Sequence, residues 1–217
     1  GPLKGGKCEI DGSVSSQLLT GLLMALPLAS RNSEIRVSNL KSRPYIDMTL
    51  QVLQNSGIKV TNDNYSLFTI EGMQEYLPGT YEVEGDWSGG AFLLVAAAIN
   101  GNLKIKGLSA NSFQSDMAIL KALGDAGADI KISGNTIEVS KSELKAFEFD
   151  ATDSPDLFPP LVALAAYCKG VSTIKGASRL LHKESNRAAA LSEEFGKMNI
   201  ITEIRDDYFY VTGGKVT

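Results

Sequence analysis

The sequence predicts an α+β fold in which one β-α-β-α-β-β unit occurs three times around buried helices. The first observation is a repeated spacing. Gly57 and Gly127, which end two helices, lie about 70 positions apart, and so do Gln114 and Glu184, which begin two others. The second observation is that each unit has one helix that is apolar on all sides and one with a single apolar face. A helix that is apolar all round is typical of a buried position, so we expect three inner helices walled by sheets.

The first unit shows the pattern from its beginning. Its strands are predicted at residues 6–10, 34–38, 58–61 and 67–70. The serines of residues 13–16 are suitable N-caps for an almost wholly apolar inner helix at 17–26. The second helix begins at Ser42, has Pro44 in its first turn, and ends at Gly57.

The second unit repeats this order. Its strands are predicted at residues 80–84, 103–106, 129–132 and 136–139. The inner helix covers 89–99, after a start at 85–88, and the outer helix covers 115–126 before Gly127.

The third unit completes the series. Strands are predicted at residues 147–150 and 171–174, followed by a final hairpin that turns at 206–207. Ser154 and Pro155 suit the N-cap and first position of an inner helix at 157–167. The outer helix is expected to begin within 182–187, where three charged residues are crowded together.

Composition limits the classes of function. A net charge of −4 gives no basic surface for nucleic acid, and the longest apolar runs are too short for a bilayer. No secretory signal is recognisable, so we expect a cytoplasmic protein. Cys8 and Cys168 lack the spacing of metal ligands and are expected to be reduced thiols that pack as small apolar residues. No metal or cofactor is predicted, and His182 and Trp87 receive no catalytic role.

Two clusters of polar residues could carry chemistry. Helix N-termini attract anions, and the inner helices begin with small or polar residues at 15–17, 86–88 and 154–156. If the units pack alike, these helix starts gather at one face, where the hydroxyl groups of Ser15 and Ser16 would suit a phosphate; plain N-capping is the alternative. In the second cluster, Asp156 and the charged residues of 182–187 could converge on an anionic substrate, unless they are solvated charges only.

Several of these stretches resemble one family. They are residues 11–17 (DGSVSSQ), 42–49 (SRPYIDMT), 83–86 (VEGD), 154–156 (SPD) and 182–187 (HKESNR). Together they closely resemble the EPSP synthases, or 3-phosphoshikimate 1-carboxyvinyltransferases, over essentially the whole chain. The resemblance implies an enolpyruvyl transferase-like alpha-beta prism, with this chain as three of six repeats from the central-to-late half of the enzyme.

The resemblance also implies a domain division. Residues 1–82 would be one repeat of the shikimate-binding lobe, and 83–217 would belong to the second lobe as two repeats, 83–145 and 146–217. The chain would cross between the lobes near 83–86, with Gly85 as a plausible hinge. We expect the full-length enzyme to be a monomer, whereas this part is expected to be inactive alone and able to self-associate.

The reaction implied by the resemblance transfers the carboxyvinyl group of phosphoenolpyruvate to the 5-hydroxyl of shikimate 3-phosphate, in aromatic amino-acid biosynthesis. Asp156 would be the general base at the hydroxyl, and Glu184 would handle the methylene proton. The substrate-binding residues would be Ser15, Ser16, Gln17, Ser42, Tyr45, Lys183 and Arg187. Arg179 stands where some members have an asparagine, so no contact is assigned to it.

Two alternatives are kept. One is the enolpyruvyl transferase that acts on UDP-N-acetylglucosamine, which shares the repeat and the cofactor-free chemistry. The other is a noncatalytic repeat module that binds a partner protein through its exposed edges.

Overall fold

The computed structural model describes residues 2–13, 15–181 and 186–214. The chain divides into two compact units, Gly1–Glu82 and Val83–Thr217. Among the described residues, no helix has both the length and the apolar character that crossing a membrane requires.

The first unit is a four-stranded sheet with two helices. In chain order its elements are β1 (Lys7–Asp11), α1 (Gln17–Ala25), β2 (Ser33–Ser38), α2 (Arg43–Asn55), β3 (Val60–Asp63) and β4 (Leu67–Ile70). The sheet order is β1-β2-β4-β3, with β1 parallel to β2 and the other pairs antiparallel. Its core contains Leu19 and Leu23 of α1, Ile46 of α2, and Ile35 and Phe68 of the sheet.

The second unit contains two sheets. The first part has α3 (Trp87–Asn100), β5 (Asn102–Lys106), α4 (Ile119–Asp125), β6 (Asp129–Ser133) and β7 (Thr136–Ser140). The second part has β8 (Glu148–Asp150), α5 (Phe158–Tyr167), β9 (Gly170–Lys175), α6 (Arg187–Gly196), β10 (Ile201–Arg205) and β11 (Tyr208–Gly213). The sheet orders are β5-β7-β6 and β10-β11-β9-β8, and β8 and β9 are parallel.

One continuous core joins both parts of the second unit. Helices α3 and α5 pack against each other, and α5 also packs on β11. Trp87 at the start of α3 and Phe158 at the start of α5 are fully buried. The ring of Phe158 meets Phe209 of β11 edge-on, with 6.3 Å between centroids, which is a favourable aromatic geometry.

The repeat is visible in the backbone at helix ends. Gly57, Gly127 and Asn199 follow the three outer helices and have φ values of 80°, 88° and 59°. After each of them, the next residue donates its N–H to a carbonyl five positions earlier, at 2.9, 2.9 and 3.1 Å. These are the left-handed C-caps that end helices sharply. The predicted α+β class with repeated β-α-β-α-β-β units is therefore confirmed.

One predicted strand is wrong. Residues 80–84 form no strand, so the sheet of β5 has three strands where the other two sheets have four. Gly85 donates its N–H to Gly107 O at 2.9 Å, but the preceding residues make no further ladder with β5. Tyr81 and Val83 are exposed to 55% and 81%. The alternating sequence suits a strand, but a strand needs a partner along its length.

The inner helices differ in burial. Helix α5 is buried almost throughout, as predicted. Helices α1 and α3 are not: Leu18 and Met24 of α1, and Phe92 and Leu93 of α3, are each about half exposed. The expectation of burial on all sides is wrong for these two helices because each packs against its unit on one side only.

The two cysteines also differ in burial. Cys8 is exposed, contrary to the expectation of apolar packing, whereas Cys168 is buried.

Candidate functional site

The first candidate site lies where β1 and β2 end. These parallel strands pair Asp11 with Ser38, so the loops that follow them leave the same edge of the sheet. Gly12 donates to Ser38 O at 2.8 Å, and Lys41 donates to Gly12 O at 3.2 Å, which holds the two loops together. One loop leads to Ser15 and Ser16 and the other leads to Ser42, so residues predicted to bind one substrate follow adjacent strands.

The first of these loops presents hydroxyl groups at the start of α1. Ser16 is the N-cap residue, is 8% exposed and makes no side-chain cap to the helix. Gln17 donates its backbone N–H to Ser15 Oγ at 3.1 Å, and the Gln17 side chain is exposed. At the head of the loop, the backbone N–H and then the hydroxyl of Ser13 lower the pKa of Asp11. A helix start not capped by its own serine can offer N–H groups to an anion.

The second loop ends in a strained serine. Ser42, at the N-cap of α2, has φ 55° and ψ 43° and is 5% exposed. The left-handed region is uncommon for a serine and marks backbone held by its surroundings, often at functional positions. Tyr45, half-buried in the first turn of α2, donates its N–H to Ser42 O at 3.2 Å and accepts from the Thr49 hydroxyl at 2.8 Å.

The second candidate site lies at the start of α5. Asp156 belongs to a 3₁₀ turn, Pro155–Leu157, directly before α5. Arg187 is the first residue of α6, whose N-cap Asn186 accepts the N–H of Ala189 at 3.1 Å. Arg187 Nη1 donates to Asp156 Oδ1 at 2.5 Å, with both side chains roughly one-third exposed at 29% and 36%. A carboxylate and a guanidinium are thus held together where solvent can reach them.

The three inner helix starts are not equivalent anion sites. The carboxylate of Asp86 caps α3 by accepting from Ser88 N at 3.0 Å and Gly89 N at 2.9 Å. In α5 the first turn contains Pro159 and Pro160, which have no N–H. The expectation that all three starts attract anions is therefore wrong for α3 and α5. At the start of α1, Ser15 Oγ accepts the N–H of Gln17, but the N-cap Ser16 makes no side-chain cap and no proline follows in the first turn.

A comparison with known protein families supplies the deciding observation. A family model described as EPSP synthase (3-phosphoshikimate 1-carboxyvinyltransferase) matches residues 1–217. The chain belongs to the EPSP synthase family.

Individual relatives agree with this assignment. The 3-phosphoshikimate 1-carboxyvinyltransferase of Cronobacter sakazakii (strain ATCC BAA-894) is 40% identical over 215 residues, which are 98% of this chain and 50% of that protein. The protein of the same name from Actinobacillus pleuropneumoniae serotype 5b (strain L20) is 38% identical over 211 residues, or 96% of this chain and 49% of its own length. The chain spans about half the length of the curated relatives that it matches.

Solved structures show the same fold. EPSP synthase from Acinetobacter baumannii matches with a TM-score of 0.77 at 23% identity, over 99% of this chain and 50% of that one. The enolpyruvyl transferase NikO from Streptomyces tendae matches with a TM-score of 0.68 at 17% identity, over 98% of this chain and 52% of that one. These two likenesses concern the fold alone and confirm the enolpyruvyl transferase-like architecture.

Not every predicted site residue of this EPSP synthase family member can be placed. Lys183 and Glu184 lie outside the described residues, as does His182. The remaining seven divide into two groups. Ser15, Ser16, Gln17, Ser42 and Tyr45 belong to the first unit, and Asp156 and Arg187 belong to the second.

One arginine to which the sequence assigned no contact bonds the loop that leads to Asp156. Arg179 donates from Nε to Thr152 O at 3.3 Å, in the loop that leads to Asp156. Burial lowers the pKa of Arg179, while the charge of Asp153 acts in the opposite direction. A partly buried arginine that contacts this loop is a further candidate for anion binding. Arg179 lies in the turn that follows β9, as Ser42 lies in the loop that follows β2, and this shared position was the signal available in the sequence.

Proposed function

We propose that this chain supplies part of the active site of an EPSP synthase. In the proposed reaction the 5-hydroxyl of shikimate 3-phosphate attacks phosphoenolpyruvate, and phosphate leaves from the tetrahedral intermediate. The observation that carries the proposal is the match of the EPSP synthase family model to the whole chain. The ion pair of Asp156 with Arg187 adds support, because a base and an anion-binding group would be needed at one place.

In this proposal the first unit binds shikimate 3-phosphate. The hydroxyls of Ser15 and Ser16 hold its phosphate at the start of α1, while Gln17 contacts both substrates. Ser42 and Tyr45 line the sugar-like ring. Support comes from the shared sheet edge of the two loops and from the N-cap Ser16, whose side chain makes no cap hydrogen bond to α1. Residues 1–82 would then form part of the shikimate-binding lobe.

The second unit supplies the charges that act on phosphoenolpyruvate. Asp156 accepts the proton of the attacking hydroxyl, and Glu184 handles the proton at the methylene carbon. Lys183 contacts shikimate 3-phosphate, and Arg187 grips phosphoenolpyruvate by two parallel hydrogen bonds. Fixed cations would stabilise the charge that develops on the reacting groups. We propose residues 83–145 and 146–217 as two repeats of the second lobe.

The proposed setting is a cytoplasmic, monomeric full-length enzyme. This chain alone would be inactive, because residues that bind substrate lie in the other half of the relatives.

A hybrid enzyme tests the proposal. Residues 1–217 would replace the matching half of the Cronobacter sakazakii relative, and release of phosphate from phosphoenolpyruvate would be measured with shikimate 3-phosphate. We expect turnover by the hybrid and none by the 217-residue chain alone. In the hybrid, Asp156→Asn should lower kcat by about 10²- to 10⁴-fold, the usual contribution of a general base. Asp129→Asn, an exposed carboxylate on β6, is the matched control and should leave kcat unchanged.

Two results would contradict the proposal. A folded hybrid that turns over UDP-N-acetylglucosamine and not shikimate 3-phosphate would assign the chain to the other enolpyruvyl transferases. Full activity of the Asp156→Asn hybrid would remove that carboxylate from the mechanism.

A further inference from the structure

The chain passes from the first unit to the second through a short exposed segment. On the side of the first unit, Tyr76 donates its hydroxyl to Met24 O at 2.6 Å, and Leu77 donates its N–H to Ser56 O at 2.9 Å. Residues 78–83 then follow, all exposed and without helix or strand. Among the described residues these six make no hydrogen bond with the rest of the protein, and a Cβ added to Gly79 would meet nothing within 4 Å.

Hydrogen bonds that hold the chain to the second unit begin at Glu84. Its Oε1 accepts from the Ser112 hydroxyl at 2.6 Å and from Gln114 Nε2 at 3.1 Å. Gly85 is held on both sides: its N–H donates to Gly107 O at 2.9 Å, and its own carbonyl accepts from Gln114 Nε2 at 2.9 Å. A Cβ on Gly85 would come within 2.8 Å of Gly107 O, so this glycine serves a close approach of two backbones.

Gln114 also holds the start of α3. Its Oε1 accepts the backbone N–H of Trp87 at 2.9 Å, while the fully buried Trp87 side chain donates to Ser109 O at 3.0 Å. One amide side chain therefore contacts three groups of the crossing segment: the carboxylate of Glu84, the carbonyl of Gly85 and the N–H of Trp87. All three contacts use the hydrogen-bonding groups that an amide, and no other neutral side chain of this size, possesses.

We infer that Gln114 is a positioning residue that fixes residues 84–87 to the second unit, and that the joint between the units is residues 78–83. Gly85, which the sequence suggested as the hinge, is then part of the fixed side. Any change in the relative orientation of the units is absorbed by the dihedral angles of the six exposed residues. The inference does not depend on the proposed transferase reaction.

Hydrogen–deuterium exchange on the 217-residue chain tests this inference. In the unaltered protein, the amides of residues 79–83 should exchange rapidly, and those of Gly85 and Trp87 should be protected. Gln114→Ala should speed exchange at Gly85 and Trp87 by about tenfold or more, the effect of losing hydrogen bonds to buried partners. Exchange in α5 reports whether the unit is still folded. Gln54→Ala, at an exposed glutamine of α2, is the matched control and should change neither amide.

A paired substitution separates positioning from simple loss of packing. Gln114→Glu keeps the acceptor for Trp87 but sets a carboxylate against Glu84, so Gly85 should lose protection. Adding Glu84→Gln returns a donor to the pair and should restore the protection of Gly85. If Gln114→Ala does not fold, Ser112→Ala removes a contact to Glu84 by a smaller change and should raise exchange at Gly85.

Cleavage by a glutamate-specific protease gives a second measurement. Glu82 lies in the proposed joint and Glu84 in the fixed part, so cleavage should occur after Glu82 in the unaltered protein and after both in Gln114→Ala. Equal cleavage after both residues before any substitution would overturn the inference. So would exchange at Gly85 as fast as at Gly79, or a Gln114→Ala protein in which Gly85 and Trp87 keep their protection.

Discussion

Arg187 donates a hydrogen bond from Nη1 to Oδ1 of Asp156 at 2.5 Å, although 31 positions separate the two residues in the chain. The two residues have different proposed roles: the first would bind phosphoenolpyruvate and the second would act as a base. Their pairing links these roles, because a substrate anion that approaches Arg187 must share the guanidinium with Asp156. The planar guanidinium has enough donors for both.

The first prediction follows from that shared geometry. In the hybrid enzyme, Arg187→Lys should raise the KM for phosphoenolpyruvate by about tenfold or more, because an ammonium cannot bond a carboxylate and a substrate anion in the same planar arrangement. Steady-state kinetics at varied phosphoenolpyruvate would measure this change. Arg205→Lys, at an exposed position on β10, is the control. An unchanged KM in Arg187→Lys would mean that the arginine serves Asp156 alone.

The second prediction concerns the start of α1. Ser16→Ala should weaken binding of shikimate 3-phosphate to the 217-residue chain by about tenfold, the effect expected for one hydrogen bond to a charged group. Isothermal titration calorimetry would measure the Kd. Ser30→Ala, an exposed serine elsewhere in the first unit, should bind as the unaltered chain does. Equal affinity in both variants would place the phosphate elsewhere.

The third prediction uses the repeat itself. Gly107 after β5 has φ 92°, and Asn39 occupies the matching place after β2 with φ 53°. Gly107→Asn should therefore be tolerated, whereas Gly107→Val should lower the free energy of unfolding by about 1–2 kcal/mol, the cost of a left-handed conformation. The fluorescence of Trp87 during urea unfolding would measure the free energy of unfolding of both variants. Gly124→Ala, on α4 with open space around it, should cost nothing.

The fourth prediction separates the two cysteines. Burial raises the pKa of the Cys168 thiol to about 12, and a hydrogen bond with Ser172 lowers it by a smaller amount. Because the thiolate is the reactive form, Cys168 stays a thiol at pH 8, whereas exposed Cys8 should react with a disulfide reagent. We expect one thiol to react rapidly in the native chain, two to react in urea, and none to react rapidly in the native Cys8→Ser protein. Rapid modification of Cys168 in the folded protein would contradict the assigned burial.

Helix ends were the most predictable part of the fold. Gly57 and Gly127 could be identified in advance because a glycine after an apolar helix is a strong local signal. Asn199, which adopts the same left-handed geometry after α6, gives a weaker signal and was not identified. The missing strand at residues 80–84 shows the opposite case. Its alternating sequence satisfies every local rule, but the hydrogen bonds that make a strand come from a partner far along the chain.

The candidate site was predictable as residue types and not as an arrangement. The sequence indicated three similar helix starts. In the structure, the first N–H groups of α3 are bonded by Asp86, and two positions in the first turn of α5 are prolines without an N–H. From the sequence Asp86 could have been a ligand or a cap, and in the structure it is a cap, because its oxygens accept from Ser88 N and Gly89 N. The contacts of Gln114 could not be predicted, since its partners at 84–87 lie about 30 positions away.

The sequence by itself determined the repeated unit, most helix boundaries and the family motifs, because caps, turns and apolar periods depend on residues within a few positions of one another. The tertiary structure decided which sides of α1 and α3 are covered, and it decided that Asp156 pairs with Arg187. It also decided where the segment between the units is held. Each of these depends on contacts between distant parts of the chain, whose free energy exists only once the backbone has brought those parts together.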